Sequence, residues 1–230
     1  MFDLDGTLVD SVPDLAVAVD ALLLEQKCAA AGEERVRLWV GNGASALVRR
    51  ALANADGIDE SQVSDALHQQ SLKRFLHHYR RASGHYSKLY PGAKEALERL
   101  RQAGVRLTLV TNKPSEFVPH LLADLGIDQM FATWLGGDSL EQKKPHPAPL
   151  LKLMDKYQVE AAQTLMVGDS RSDISAGKAA RVATLGVSYG YNHGRPITDE
   201  SPSWVCSNLD DFFTAALTNA CSQSALPSDA

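Results

Sequence analysis

The 230-residue chain has few cysteines and no long apolar run. Its three cysteines, Cys28, Cys206 and Cys221, lie far apart and form no CxxC pair, which argues against a disulfide framework and against a zinc site. No segment comes near the roughly 18 consecutive apolar residues that a membrane span requires. These absences argue against a small disulfide-bonded secreted domain and against a membrane-spanning protein.

Basic segments are also missing. The formal net charge is -5, and the lysines and arginines are not concentrated in one block. We therefore expect no nucleic-acid partner and no binding to an anionic membrane. The first residues contain no basic stretch leading into an apolar one, as a secretory signal would. Together with the scarcity of cysteine, this predicts a cytoplasmic protein.

From residue 91 onward, apolar residues alternate between helical spacing and strand spacing. Pro91 and Gly92 begin a helical pattern that Gly104 ends, and the strand-like stretch "VRLTLVT" then runs to Thr111. Further strands and helices alternate through "ATWLGG", "HPAPLLKLMDKY", "TLMVGD", "SDISAGKAA" and "VATLGV". This alternation predicts an α/β fold in which helices cover a parallel sheet.

The segment 14–85 has helical spacing with no strand in it. Its last helix, "SQVSDALHQQSLKRFLHHYRR", is predicted to begin with Ser61 as its N-cap. We therefore expect a helical cap domain at 14–85, inserted into an α/β core formed by 1–13 and 86–220. The segment 221–230, "CSQSALPSDA", has the composition of a disordered tail.

Several polar side chains fall at the predicted carboxyl ends of strands. Asp3 and Asp5 are two apart in "MFDLDGTLVD", so in an extended segment their side chains point to the same side. Thr111 and Asp169 end two other strands, and Lys144 follows a third. Each of them alone could be a helix cap, a turn residue or a surface side chain. Their joint placement indicates a site, because ligands of open α/β sheets bind at this edge.

The predicted cluster of carboxylates needs a counterion. Asp173 in "GDSRSD" adds another acidic group, and two like unit charges about 4 Å apart repel by about 4 kcal/mol at an effective dielectric near 20. Oxygen ligands suit Mg²⁺, which retains water and phosphate oxygens in its coordination shell. Lys144 and Thr111 would supply a cation and a hydroxyl for the remaining phosphate oxygens. The pattern therefore predicts a magnesium-dependent site for phosphoryl transfer.

The same residues carry a family resemblance. The segments "DLDGT" at 3–7, "VTN" at 110–112, "KP" at 144–145 and "GDSRSD" at 168–173 resemble, in order, the four motifs of the haloacid dehalogenase-like hydrolases. The resemblance implies a Rossmann-like parallel-sheet core with a helical cap inserted after the first strand. Within the superfamily, "WVGNGA", "LVTNKP", "LGGDSLEQKKPHPAPL", "VGDSRSDI" and "YGYNHG" most resemble the bacterial phosphoglycolate phosphatases. This implies a small phosphomonoester substrate, 2-phosphoglycolate, with Mg²⁺ as cofactor.

The resemblance also implies roles for individual residues. Asp3 would be the nucleophile that forms an aspartyl-phosphate, and Asp5 would be the general acid and base. The metal ligands would be Asp3, Asp5 through its backbone carbonyl, and Asp169, with Asp173 close by. The phosphoryl oxygens would be held by Thr111, Asn112 and Lys144. Substrate specificity would depend on the cap residues Gly41, Asn42 and Gly43.

Two features depart from the family pattern. Only Met1 and Phe2 precede Asp3, whereas a central strand is typically about five residues long. We therefore expect the natural chain to begin upstream of Met1, or the first strand to have been shortened. Arg181 stands where related sequences tend to have a glycine after "KAA". The end of that helix is therefore expected to differ locally.

Two alternatives remain open at the sequence level. A phosphatase or phosphomutase of the same superfamily that acts on a sugar phosphate would use the same site residues. A non-enzymatic phosphoacceptor domain would also gather an aspartate, a threonine, a lysine and magnesium on a parallel sheet. The Asp3 and Asp5 pair favours an enzyme, because a second carboxylate beside the acceptor serves turnover. The sequence is compatible with a monomer or a homodimer.

Overall fold

The computed structural model describes residues 1–224, with helices and strands in nearly the predicted order. The helices are α1 (Val12–Glu25), α2 (Gly32–Trp39), α3 (Ala44–Asp56), α4 (Asp65–Ala82), α5 (Ala93–Gln102), α6 (Val118–Asp124), α7 (Ala148–Tyr157), α8 (Arg171–Ala179) and α9 (Leu209–Ser224). The strands are β1 (Val9–Asp10), β2 (Lys88–Leu89), β3 (Thr108–Val110), β4 (Thr133–Leu135), β5 (Leu165–Gly168), β6 (Ala183–Val187) and β7 (Trp204–Cys206). Within residues 1–224, no helix is long and apolar enough to cross a membrane.

The central sheet is parallel. Strand β3 pairs with β4, and β5 pairs with β6, which in turn pairs with β7. The first residues join these two groups, because Phe2 bridges Leu109 on one side and Val167 on the other, both in parallel. Around Phe2, β3 and β5 form a buried apolar cluster with α5, α6 and α9. The predicted α/β fold, a parallel sheet covered by helices, is confirmed.

Helices α1 to α4 pack around a second apolar cluster. It is formed mainly by α1, α3 and α4, whose buried residues include Leu22, Leu52 and Phe75. The chain enters this bundle after β1 and leaves it before β2, and these two strands form a short antiparallel pair. Phe117 and Tyr191, from outside the bundle, pack into the same cluster. The exact limits 1–13, 14–85 and 86–220 for core and cap remain a prediction.

Helix α4 begins later than predicted. Its N-cap is Ser64, whose hydroxyl accepts the backbone N–H of Leu67 at 3.3 Å. Ser61 instead lies in a short 3₁₀ turn whose N-cap is Asp59. The Asp59 carboxylate accepts both the N–H and the hydroxyl of Ser61, at 2.9 and 2.6 Å. The prediction of Ser61 as the N-cap of α4 was wrong, because Asp59 caps a separate turn before it.

The end of the chain differs in part from the predicted disordered tail. Helix α9 runs to Ser224 and so includes the first four residues of the segment 221–230. Disorder was therefore wrongly predicted for 221–224, where no proline or glycine interrupts the helix. The rest of the predicted tail, 225–230, lies outside the described residues.

Candidate active site

Three carboxylates converge at the carboxyl end of the sheet. Asp3 follows Phe2, Asp169 follows β5, and Asp173 lies in the first turn of α8. All three are buried, and one carboxylate oxygen from each lies within 4.8 Å of the others. The fold therefore brings together three of the four acidic residues that the sequence predicted to cluster.

The cluster has the properties of a cation site. Burial, together with the negative charge of Asp173, raises the pKa of Asp3 to about 7, and burial also raises the pKa of Asp169. Both shifts indicate that negative charge is crowded here beyond what the protein itself neutralises. Gly6 and Gly190 lie against Asp169, and a Cβ on either residue would overlap its side chain. The absence of side chains at these two positions therefore leaves space for the Asp169 carboxylate. An all-oxygen donor set of this kind fits a hard divalent cation.

Lys144 is the ammonium group inside this cluster. Its side chain is 1% exposed, and its Nζ lies 2.9 Å from Asp3 Oδ1 and 2.6 Å from Asp173 Oδ1. It also donates to the backbone carbonyl of Val110 at 2.5 Å. Burial opposes its charge, but Asp173 and Asp3 raise its pKa. The predicted phosphate-binding lysine therefore lies directly beside the predicted nucleophile.

Asp169 is oriented by two groups that the sequence analysis did not assign. The hydroxyl of Thr7 donates to Asp169 Oδ1 at 2.8 Å, and the backbone N–H of Tyr191 donates to Oδ2 at 2.7 Å. Thr7 lies within the "DLDGT" motif, which is a signal that could have identified it. Tyr191 comes from the "YGYNHG" segment, and its role depends on a contact across 22 residues.

Thr111 and Asn112 follow β3 and are buried. The Thr111 hydroxyl accepts the N–H of Lys113 at 3.1 Å. The Asn112 amide group donates to the backbone carbonyl of Lys144 at 2.9 Å, while its Oδ1 is buried without a hydrogen bond. Asn112 therefore fixes the backbone that carries Lys144, in addition to any contact it makes with phosphate.

The Asp5 carboxylate is separate from the acidic cluster and is held by two other residues. It accepts the Ser11 hydroxyl at 2.6 Å, and the Lys113 ammonium lies 2.9 Å from Oδ1 and 3.3 Å from Oδ2. The side chain of Lys113 is 2% exposed, and its Nζ also donates to the Tyr79 hydroxyl at 2.5 Å. Burial opposes the charge of Lys113, but Asp5 and Tyr79 raise its pKa. The sequence analysis gave Lys113 no role, although it lies two residues after Thr111 at a strand end.

The loop Gly41–Asn42–Gly43 contacts the core directly. Asn42 Nδ2 donates to the hydroxyl of Ser172 at 3.0 Å, and Asn42 Oδ1 accepts from Arg50 at 2.7 Å. Gly43 has φ +87°, and a Cβ there would lie 2.8 Å from the carbonyl oxygen of Asn112. The two glycines line the cavity described next, whereas Asn42 connects the loop to α8.

A small cavity lies between the helical bundle and the sheet. Its volume is about 40 Å³, and it is lined by Asp3, Asp5, Leu15, Val40, Gly41, Gly43, Ala44, Leu47, Phe75, Tyr79, Thr111, Asn112, Lys113 and Pro114. A larger cavity of about 380 Å³ lies near Met1 and Phe2, away from the carboxylates. We take the smaller one as the substrate site, because both predicted catalytic aspartates line it.

The sequence matches one described family over most of its length. A family model described as "Haloacid dehalogenase-like hydrolase" matches residues 1–187. The chain is 55% identical over 210 residues to the phosphoglycolate phosphatase of Pseudomonas putida, which covers 91% of this chain and 76% of that protein. It is 47% identical over 219 residues to the phosphoglycolate phosphatase of Vibrio parahaemolyticus, covering 95% of this chain and 96% of that protein.

Solved structures give the same result for the fold. A crystal structure described as a predicted phosphoglycolate phosphatase from Haemophilus somnus 129pt superposes with a TM-score of 0.87 at 40% identity. The superposition covers 94% of this chain and 96% of the Haemophilus chain. The arrangement of sheet and helical bundle is therefore shared with an experimentally determined structure.

Proposed function

Because this chain belongs to the haloacid dehalogenase-like hydrolases, we propose that it is a magnesium-dependent phosphatase that converts 2-phosphoglycolate and water into glycolate and phosphate. The observation that carries the proposal is the position of Asp3. Its carboxylate lies 2.9 Å from the buried Lys144 ammonium and close to Asp169 and Asp173, and it lines a small cavity. Relatives about half identical to this chain, named phosphoglycolate phosphatases, support the choice of substrate.

The cation would be held by Asp3 and Asp169, with the Asp5 backbone carbonyl as a further ligand and Asp173 beside them. When bound, Mg²⁺ would neutralise charge on the phosphoryl oxygens and on the carboxylates around it. The closeness of Asp3, Asp169 and Asp173 supports this assignment, because a bound cation would relieve their mutual repulsion.

In the proposed reaction, a carboxylate oxygen of Asp3 attacks phosphorus, and the bond between phosphorus and the glycolate oxygen breaks. Asp5 donates its proton to that leaving oxygen. A water molecule then attacks the aspartyl-phosphate at phosphorus while Asp5 accepts one of its protons. This releases phosphate, returns Asp3 to its carboxylate form and returns the proton to Asp5, which is ready to donate it again. Lys144 and the Thr111 hydroxyl stabilise the charge that develops on the phosphoryl oxygens.

The lining of the cavity favours a small substrate over a sugar phosphate. The hydroxyl groups of a hexose need several hydrogen-bonding partners, whereas Leu15, Val40, Leu47 and Phe75 form an apolar wall. The phosphatase or phosphomutase acting on a sugar phosphate remains the second candidate, and its substrates belong in the test.

The test is phosphate release with Mg²⁺ from 2-phosphoglycolate, compared with a panel of sugar and nucleotide monophosphates. We expect strong preference for 2-phosphoglycolate and a loss of at least about 1000-fold in Asp3→Asn, because the nucleophile is removed. Preference for a hexose phosphate would contradict the substrate but retain the mechanism. Stoichiometric phosphorylation without sustained release would instead indicate the phosphoacceptor alternative.

Location and assembly remain predictions from sequence. The low cysteine content favours the cytoplasm, and a monomer or a homodimer is compatible with the proposed activity. The acidic net charge favours a small-molecule substrate over nucleic acid.

A further inference from the structure

Lys113 is a buried cation for which the proposed reaction has no use so far. It lines the cavity, and its Nζ is held by Asp5 and by the Tyr79 hydroxyl. Tyr79 belongs to α4 of the helical bundle, whereas Lys113 follows β3. The ammonium group therefore lies where the two parts of the molecule meet over the substrate.

The rest of the cavity offers little to a second anionic group. Among the described residues that line it, Lys113 is the one with a cationic side chain. Lys144, the other nearby ammonium, already contacts Asp3 and Asp173 on the phosphoryl side. A substrate that carries a carboxylate besides its phosphate would therefore meet Lys113 as the available counter-charge at its other end.

A buried carboxylate without a partner is strongly unfavourable, and here Asp3 and Asp5 already contribute negative charge. An ammonium has three N–H donors, and the structure uses them toward two partner side chains, Asp5 and Tyr79. The longest of these contacts, 3.3 Å to Asp5 Oδ2, is the one that a ligand could replace. A neutral hydroxyl would gain an ordinary hydrogen bond there, whereas a carboxylate would gain a stronger, charge-assisted one.

We propose that Lys113 binds the carboxylate of the substrate and so makes the enzyme selective for small phosphorylated acids over neutral phosphomonoesters. This inference rests on the proposed function and adds the residue that distinguishes the substrate class. Lys113 is then a substrate-binding residue, and its contact with Asp5 places its ammonium group next to the leaving-group oxygen.

The experiment compares two substrates that differ in the group under test. 2-Phosphoglycolate carries a carboxylate where 2-hydroxyethyl phosphate carries a hydroxymethyl group. For each we would measure kcat/KM with the wild-type protein and with Lys113→Met. We expect the ratio of kcat/KM for 2-phosphoglycolate to kcat/KM for 2-hydroxyethyl phosphate to fall at least about tenfold in the variant. The reason is the loss of one charge-assisted contact. Lys113→Arg, which keeps the charge, should retain most of the preference.

An equal fall in kcat/KM for both substrates would overturn the proposal, because it would show that Lys113 acts only by positioning Asp5. The matched control is Lys152→Met, which removes an exposed lysine of α7 and should leave the ratio unchanged. Circular dichroism would establish that each variant is folded.

A binding measurement covers the case in which Lys113→Met has no measurable turnover. Calorimetric titration of Asp3→Asn, with and without Lys113→Met, would give the affinity for each substrate. We expect the second substitution to raise the Kd for 2-phosphoglycolate at least about tenfold. The Kd for 2-hydroxyethyl phosphate should change by less than about threefold. Equal weakening of both ligands would reject the role of Lys113.

The two proposals fail in different ways. If wild-type protein releases no phosphate from 2-phosphoglycolate but hydrolyses a neutral phosphomonoester, the proposed substrate and this inference are both wrong. If it prefers 2-phosphoglycolate and Lys113→Met keeps that preference, the proposed function stands and only the role of Lys113 is rejected.

Discussion

At the scale of single residues, Arg181 has an unfavourable backbone conformation. It follows the end of α8 and has φ +61°, in the left-handed region. A residue with a Cβ is disfavoured there by about 1–2 kcal/mol, whereas glycine adopts it readily. Related sequences tend to have glycine here, so a local difference was expected at this position. The structure shows that the position keeps the conformation suited to glycine although it holds arginine.

We therefore predict that Arg181→Gly stabilises the protein. The free energy of unfolding should rise by about 0.5–1 kcal/mol, since the relief of strain exceeds the greater flexibility that glycine gives the unfolded chain. Urea denaturation measures this change. Arg181→Ala serves as the control, because it removes the same side chain but retains the Cβ and should change stability by less than about 0.5 kcal/mol. A destabilised glycine variant would contradict the prediction.

The residues that could be predicted from sequence are those positioned by the sheet itself. Asp3, Asp169 and Thr111 each end a strand or strand-like segment, so a correct order of elements suffices to place them together. Lys113 could not be assigned a role, because its contact with Tyr79 joins residues 34 apart on different elements. Local spacing does not encode such a contact.

At the scale of elements, Asp14 joins the two ends of the helical bundle. It lies in the first turn of α1 and is fully buried. Its carboxylate accepts backbone N–H groups from Gly84, Tyr86 and Ser87, at 2.7, 2.7 and 3.3 Å, and the Ser87 hydroxyl at 2.5 Å. The segment after α4 is thereby fixed against the start of α1, directly beside the pair β1 and β2.

We predict that Asp14→Ala lowers the free energy of unfolding by at least about 3 kcal/mol. Several buried donors would lose a charged acceptor, and each such hydrogen bond contributes about 1.5–3 kcal/mol. Urea or thermal denaturation measures the loss. Asp155→Ala, at an exposed position of α7, should stay within about 0.5 kcal/mol of wild type. A comparable change in both variants would mean that the Asp14 contacts do not stabilise the fold.

Some helices and strands could be predicted from the sequence and others could not, for a physical reason. Strands β3 to β6 were placed correctly because they are short apolar runs bounded by glycine, proline and polar residues, whereas the short strands β1, β2 and β7 were not predicted. The start of α4 was not, because Asp59, Ser61 and Ser64 are all good N-caps and only tertiary packing selects among them.

At the scale of the whole molecule, the acidic cluster links metal binding to stability. Burial and mutual repulsion raise the pKa of Asp3 and of Asp169, so a cation that binds the folded protein should stabilise it. We expect Mg²⁺ at about 100 times its Kd to add about 2.7 kcal/mol, and chelation to remove this gain. Thermal denaturation with and without Mg²⁺ measures the effect without reference to activity.

The matched variant for this prediction is Asp169→Asn. It removes one carboxylate of the cluster and should reduce or abolish the shift in Tm that Mg²⁺ produces in the wild-type protein. Repulsion within the cluster also falls, so the variant without metal should be no less stable than wild-type protein without metal. An unchanged Mg²⁺ effect in this variant would place the cation elsewhere.

The contact between Asn42 and Ser172 is, among the described residues, one of two attachments of the glycine loop to the core. Asn42 Nδ2 donates to the Ser172 hydroxyl at 3.0 Å, and the Lys143 ammonium donates to the backbone carbonyl of Asn42 at 3.0 Å. Any movement of the loop away from the cavity that Gly41 and Gly43 line requires both contacts to break. A neutral hydrogen bond contributes about 1 kcal/mol and one that involves a charged group about 1.5–3 kcal/mol, so the Lys143 contact restrains the loop more strongly than the Ser172 contact.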